Sequence, residues 1–117
     1  MAIDDKRLVR QGDVLLVQVD KLPDERVDED SAAARHVLAE GEATGHAHVL
    51  EGTDVRRVVL SRSRRWAPSL HWTYIVVGAH GATLRHEEHL PIAIEPGTYE
   101  VRRQREYRPS RVVQVAD

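Results

Sequence analysis

Two short histidine-rich segments carry the residues of this chain that are best suited to chemistry. The first is Gly45-His46-Ala47-His48, which opens a run of strand-forming residues. Side chains alternate across a strand, so His46 and His48 emerge on one face and could close on a single ion. The chain has no cysteine, and imidazole ligands without thiolate suit zinc, iron, nickel, copper or manganese. Two solvent-exposed histidines on a polar strand would give the same pattern.

The second segment, His86-Glu87-Glu88-His89, follows about forty residues later and is closed by Pro91. On one regular strand only one alternating pair faces inward, either His86 with Glu88 or Glu87 with His89. Its spacing differs from the H-E-x-x-H of helical zinc proteases, and Pro91 disfavours a helix here. A solvated charged turn is the alternative interpretation.

Taken together, the two segments resemble the metal site of the cupins. Residues 41–52, Gly-Glu-Ala-Thr-Gly-His-Ala-His-Val-Leu-Glu-Gly, are similar to the first cupin motif, and Ile94-Glu95-Pro96-Gly97-Thr98 is similar to the proline-glycine turn of the second. The resemblance implies a divalent cation held by His46, His48 and His89, often completed by a carboxylate. The alternate ligands are His86 and Glu88.

The match to the cupin motifs has three departures. One residue is missing between Gly41 and His46, Glu51 follows His48 too soon, and no histidine follows Gly97. The chain is also similar to a group of small uncharacterised bacterial and phage-borne proteins. That second resemblance spans most of the sequence and implies that three segments belong together, without implying a reaction: Gln11 to Leu16, Gly41 to His48, and His86 to Tyr107.

The segment Gly97 to Tyr107 is unusual for a strand, because arginines and an apolar residue would share one face. On an unbulged strand one face carries Tyr99, Val101, Arg103, Arg105 and Tyr107. The apolar Val101 marks this face as the inner one, so we predict that Arg103 and Arg105 bind a small anionic substrate near the metal or pair internally. The available internal partners are Glu42, Glu87 and Glu88. Alternatively, the strand bends near Gln104 and its far half lies in solvent.

The function predicted from these residues is metal binding, with metal-dependent catalysis on a small anionic ligand as its extension. The candidates for proton transfer beside the cation are Glu42, Glu88 and Tyr107. No G-x-S-x-G elbow or glycine-rich phosphate loop occurs. The alternative is a non-catalytic structural or interaction module, including a phage-related one.

A basic-aromatic stretch supports a third hypothesis, the binding of single-stranded nucleic acid. Bases would stack on the indole rings, and guanidinium groups would contact phosphates. It comprises Arg56, Arg57, Arg62, Arg64, Arg65, Trp66 and Trp72. The formal net charge of −2 disfavours this reading. No apolar run approaches the roughly 20 residues of a membrane span, and the N-terminal residues lack a signal-peptide core. We therefore expect a cytoplasmic protein without a membrane partner.

The elements that must position these residues are predicted to be strands. The chain has sixteen valines and no phenylalanine, and β-branched residues favour sheets. About eight short strands predict one β domain over residues 1–117, either a small barrel or a cupin-like two-sheet sandwich. Five carboxylates predict a solvated loop over Pro23 to Asp30. His36 to Ala39 is assigned to a strand, with a short helix from Ser31 through Glu40 as the alternative. The run Arg111 to Ala116 is a candidate edge strand for a homodimer.

Overall fold

A computed structural model of the chain describes residues 7–40 and 46–103. These ranges contain ten strands and no helix, which confirms the mostly-β prediction. The strands are β1 (Leu8–Gln11), β2 (Val14–Val19), β3 (Arg26–Ala32), β4 (Arg35–Glu40), β5 (Ala47–Glu51), β6 (Val55–Arg62), β7 (Leu70–Val77), β8 (Ala82–His86), β9 (His89–Ile94) and β10 (Gly97–Arg103). Over these residues there is thus no helix long and apolar enough to cross a membrane.

The strands form two antiparallel sheets. One has six strands in the order β1-β2-β10-β7-β6-β3, and the other has four in the order β4-β5-β8-β9. Each sheet ends in two edge strands, so the described residues do not form the closed barrel that was one of the two predicted architectures.

Both sheets contribute to one hydrophobic cluster. Leu16 and Tyr99 enter it from the six-stranded sheet, and Leu50, Leu84 and Ile94 enter it from the four-stranded sheet. All five side chains are almost completely buried. Because each fully buried aliphatic side chain contributes about 1.5–3 kcal/mol of transfer free energy, this shared core holds the two sheets together.

The predicted loop over Pro23 to Asp30 is wrong, because most of it belongs to β3. This edge strand pairs with β6, and the Arg56 guanidinium donates to both carboxylate oxygens of Asp30 at 2.9 and 2.7 Å. Arginines on the neighbouring strand therefore offset the repulsion among the carboxylates. This pairing could not be predicted from the sequence, because the partners lie far apart along the chain. The strand assignment for His36 to Ala39 is confirmed by β4.

A two-residue turn, Gly12-Asp13, connects β1 to β2, with Gln11 paired to Val14. Gly12 has a φ of 60°, whereas no described non-glycine residue has a positive φ. Positive φ at the first turn position is typical of the type II′ hairpin turn, which glycine adopts without steric cost. The proposed dimer edge, Arg111 to Ala116, lies outside the described residues.

Candidate metal centre

The second histidine segment is a hairpin turn rather than a single strand. His86 ends β8, His89 begins β9, and the two residues pair across the turn formed by Glu87 and Glu88. The expectation that only one alternating pair faces inward is therefore wrong, because the chain reverses within the segment. Cross-strand partners share a face of the sheet, and the His86 and His89 ring centroids are 4.7 Å apart.

The first histidine segment reaches the same place through β5, which pairs antiparallel with β8. The His48 ring centroid lies 4.2 Å from that of His86 and 5.8 Å from that of His89. The His46 ring centroid is 5.7 Å from that of His86. All four sequence-predicted ligands thus meet in one group, hereafter the histidine cluster (His46, His48, His86 and His89).

A carboxylate that the sequence analysis did not select as a ligand also belongs to this group. Ligand atoms of His46, His86 and Glu87 all lie within 4.8 Å of one another. Glu87 Oε1 accepts a hydrogen bond of 3.0 Å from the backbone N–H of Ala47. Its own backbone N–H and that of Ala47 lower the pKa of the Glu87 carboxyl, and His46 and His86 add to this effect. Glu87 therefore presents an ionised oxygen to the two imidazoles.

Glu88 makes two contacts with the cluster. Its Oε2 lies 3.3 Å from His46 Nδ1, and its backbone N–H donates to His86 Nδ1 over 3.0 Å. A neutral imidazole that accepts at Nδ1 carries its proton on Nε2. His86 would therefore have to give up this backbone hydrogen bond to offer Nδ1 to a cation.

His48 is the most deeply placed member of the cluster, with 5% of the residue exposed. Burial, and to a smaller extent the neighbouring His86, lower the pKa of its imidazole to about 4, whereas Asp13 opposes the shift. The ring is therefore neutral at pH 7, which is the protonation state that a metal ligand requires.

Gln11 determines which nitrogen of His48 carries the proton. The Gln11 Nε2 donates to the backbone carbonyls of Leu84 and Leu90, each at 3.0 Å. Both amide hydrogens are thus used, and Gln11 Oε1 faces His48 Nδ1 at 3.0 Å. An oxygen there accepts, so Nδ1 bears the hydrogen and Nε2 keeps its lone pair. Such a contact is typical of the residues that orient histidine ligands in metal sites.

The rings of His48 and His89 both lie against Gly12. A Cβ atom added to Gly12 would lie 2.9 Å from His89 Nε2 and 3.2 Å from His48 Nε2. The glycine therefore leaves open a small volume that two imidazole nitrogens share. Asp13 borders it, with Oδ1 3.5 Å from His48 Nε2. Imidazole with carboxylate oxygen is the donor set that first-row transition metals prefer. Among the described residues, the three ligand atoms that already lie within 4.8 Å of one another are those of His46, His86 and Glu87, on the outer side of the cluster.

The inner face predicted for β10 is confirmed as far as the strand is described. Tyr99 is fully buried, Val101 packs against the shared core, and Arg103 reaches the site. One terminal nitrogen of Arg103 donates to Asp13 Oδ2 at 3.2 Å. The internal partner of this arginine is thus Asp13, and not Glu87 or Glu88.

Three predicted site residues, Glu42, Arg105 and Tyr107, lie outside the described residues. Two that sequence reasoning missed, Gln11 and Asp13, flank Gly12 in the β1–β2 turn. They fall within the first of the three signature segments, Gln11 to Leu16, and this was the signal that could have found them. All three segments reach the histidine cluster.

The basic-aromatic stretch lies away from the cluster's strands, on β6, β7 and their connection. Trp66 is 89% exposed, and the Arg65 guanidinium lies 5.7 Å from its ring centroid. Arg62 lies 5.9 Å from the Trp72 ring centroid and pairs with Glu25. Carboxylates of β3 and of the segment before it therefore offset part of the positive charge that the nucleic-acid reading requires.

The chain belongs to a family described as a domain of unknown function (DUF8820), whose family model matches residues 10–104. This confirms the predicted membership of an uncharacterised family. No curated protein and no solved structure shows significant similarity to the chain.

Proposed function

We propose that this member of the DUF8820 family binds one divalent transition-metal ion, zinc, iron, nickel or manganese, in the histidine cluster. The observation that carries the proposal is the orientation of His48. Its Nδ1 is bonded to Gln11, which leaves the lone pair on Nε2, and the Nε2 atoms of His48 and His89 lie 3.2 and 2.9 Å from the position that a Cβ on Gly12 would take. A buried histidine with a purely structural role would not require the Nε2 atom of a second histidine beside the same glycine.

The coordination we infer uses His48 and His89 as the inner ligands. His46, with His86 or Glu87, lies at the outer side of the cluster and could complete the sphere. The order of these ligands along the chain, an H-x-H pair followed by a histidine on a later hairpin, is similar to that of cupin sites. We therefore infer a cupin-like arrangement of the two sheets around the ion.

The outer side of the cluster is open to solvent, which favours reaction chemistry over a closed structural site. The side chain of His46 is 31% exposed, and that of Glu88 is 63% exposed. A cation held there would act as a Lewis acid for an oxygen-containing ligand. Glu88, 3.3 Å from His46, is the proton acceptor that we infer, and Arg103 is the group that binds an anionic ligand.

Metal stoichiometry of protein purified without an affinity tag tests the proposal. After dialysis we expect about one equivalent of Zn²⁺, Co²⁺ or Ni²⁺, measured by inductively coupled plasma mass spectrometry. The metal-loaded protein should also have a higher melting temperature than the metal-free protein. His48→Ala and His89→Ala should lose the ion. His71→Ala and His80→Ala are matched controls, because both histidines are exposed and lie outside the cluster.

A protein that stays metal-free and melts at the same temperature with each ion would refute metal binding and favour a non-catalytic module. Retention of the ion in both His48→Ala and His89→Ala would contradict the ligand assignment. If His48→Ala does not fold, His89→Ala still decides, because His89 is only partly buried.

A further inference from the structure

Arg103 lies at the edge of the histidine cluster with most of its hydrogen-bonding capacity unused. Its side chain is 26% exposed, and one of its nitrogens donates to Asp13 Oδ2 at 3.2 Å. The Nε atom is buried and has no hydrogen-bond partner among the described residues. A guanidinium carries five N–H donors in a planar fork suited to two oxygens of a carboxylate or phosphate. Asp13 occupies only part of that fork.

Asp13 lies between the Arg103 guanidinium and His48 Nε2, the nitrogen that we propose as a metal ligand. Its Oδ2 accepts from Arg103, while its Oδ1 lies 3.5 Å from His48 Nε2. Two ligand atoms about 2.0–2.1 Å from a tetrahedral zinc ion lie about 3.3 Å apart. The separation of Asp13 Oδ1 and His48 Nε2 is therefore close to that of two ligands on one ion.

From this geometry we propose that Asp13 and Arg103 form a metal-dependent oxyanion site, an inference that rests on the proposed metal binding. When a cation occupies the cluster, Asp13 turns to it as a ligand and releases the Arg103 guanidinium. The released fork binds a carboxylate or phosphate group of a small ligand beside the cation. In the metal-free protein the Asp13 carboxylate stays beside Arg103, and its negative charge repels an anion from the rest of the fork.

Charge explains why the released site takes an anion. The imidazoles contribute no negative charge, so a divalent cation and the Arg103 guanidinium would face each other with the single charge of Asp13 between them. Like charges a few ångströms apart in a partly buried site repel strongly. An oxyanion placed between the metal ion and the guanidinium removes this repulsion. It also accepts hydrogen bonds from the Arg103 N–H groups that Asp13 no longer contacts.

The neighbouring arginine provides a matched control. Arg102 precedes Arg103 on β10 and so points to the opposite face, where it donates to Glu100 at 2.8 Å. Arg102→Gln therefore removes the same charge from the same strand without altering the proposed site.

The test is calorimetric titration of inorganic phosphate, and in a second arm acetate, into Co²⁺-loaded and metal-free protein. We expect the loaded protein to bind its preferred anion at least ten times more tightly than the metal-free protein. Arg103→Gln should lose this gain and keep its Co²⁺ stoichiometry, and Arg102→Gln should keep both. Arg103→Lys, which keeps the charge and loses the fork, should bind more weakly than wild type. The two arms distinguish a phosphate from a carboxylate ligand.

Asp13→Asn tests the subsite without any metal. Removing the carboxylate charge should let the metal-free variant bind the anion more tightly than the metal-free wild type. Equal affinity in these two proteins, or an Arg103→Gln variant that keeps the Co²⁺-dependent gain, overturns the inference. If wild type takes up no Co²⁺, the proposed function fails and with it the metal dependence, and the Asp13→Asn comparison alone then decides whether Arg103 binds oxyanions.

Discussion

Replacing Gln11 with methionine should destabilise the protein more than its place in a short edge strand would indicate. Gln11 is 3% exposed, and its amide joins β1 to the backbone of Leu84 and Leu90 and to the His48 ring. Methionine has a similar volume and no comparable donor or acceptor. The substitution therefore removes three hydrogen bonds and leaves three polar groups without their partner.

The magnitude follows from those three groups. A buried polar group left unsatisfied costs about 1–3 kcal/mol, and Leu90 is an exposed residue whose carbonyl is only partly buried. Taking the lower end for each group, we expect the free energy of unfolding to fall by about 3 kcal/mol. Gln18→Met is the matched control, because the Gln18 side chain accepts one exposed hydrogen bond from the backbone of Arg7, and its cost should be about 1 kcal/mol or less.

The assay is urea denaturation at pH 7 with a chelator present, so that metal binding does not enter the comparison. A second variant, Gln11→Glu, keeps an acceptor for His48 Nδ1–H and loses both donors. It should therefore be destabilised as well, and the pKa of His48, followed by NMR, should rise above its value of about 4. If Gln11→Met costs no more than Gln18→Met, or if the His48 pKa does not rise in Gln11→Glu, the inferred role of Gln11 is incorrect.

Two further predictions concern the same region. Gly12→Ala should lower the free energy of unfolding by about 1–2 kcal/mol, since its φ of 60° is unfavourable for alanine, and should also weaken metal binding. Gly81→Ala, at a φ of 70° outside the cluster, should share only the loss of stability, and equal metal affinity in both variants would contradict the prediction. Because burial lowers the pKa of His48 from 6.5 to about 4, the unfolded chain binds the proton more readily between these values. The stability of the metal-free protein should then decrease as pH falls through this window, by about 3 kcal/mol in total. Urea denaturation across pH 4–7 measures the slope, and a slope that persists unchanged in His48→Gln would count against His48 as its source.

Much of the fold could be predicted because strand signals are local. The runs Val14–Val19 and Leu70–Val77 are rich in β-branched and other apolar residues, and both form strands. The error at β3 has a local origin too, since five carboxylates disfavour a strand until the arginines of β6 lie beside them. Sheet order was not predictable in the same way, because partners such as β2 and β10 lie far apart in the sequence.

The residues of the candidate site were likewise predictable only in part. Residue types and short spacings alone identified the four histidines, and the alternation along β10 placed Arg103 on the inner face with Tyr99. Only the tertiary structure brought the β1–β2 turn to the cluster, where Gln11 leaves the His48 lone pair on Nε2 and Asp13 lies between His48 and Arg103. The physical reason is that alternation and turn preference act over a few residues, whereas long-range strand pairing and the shared core decide which strand ends meet.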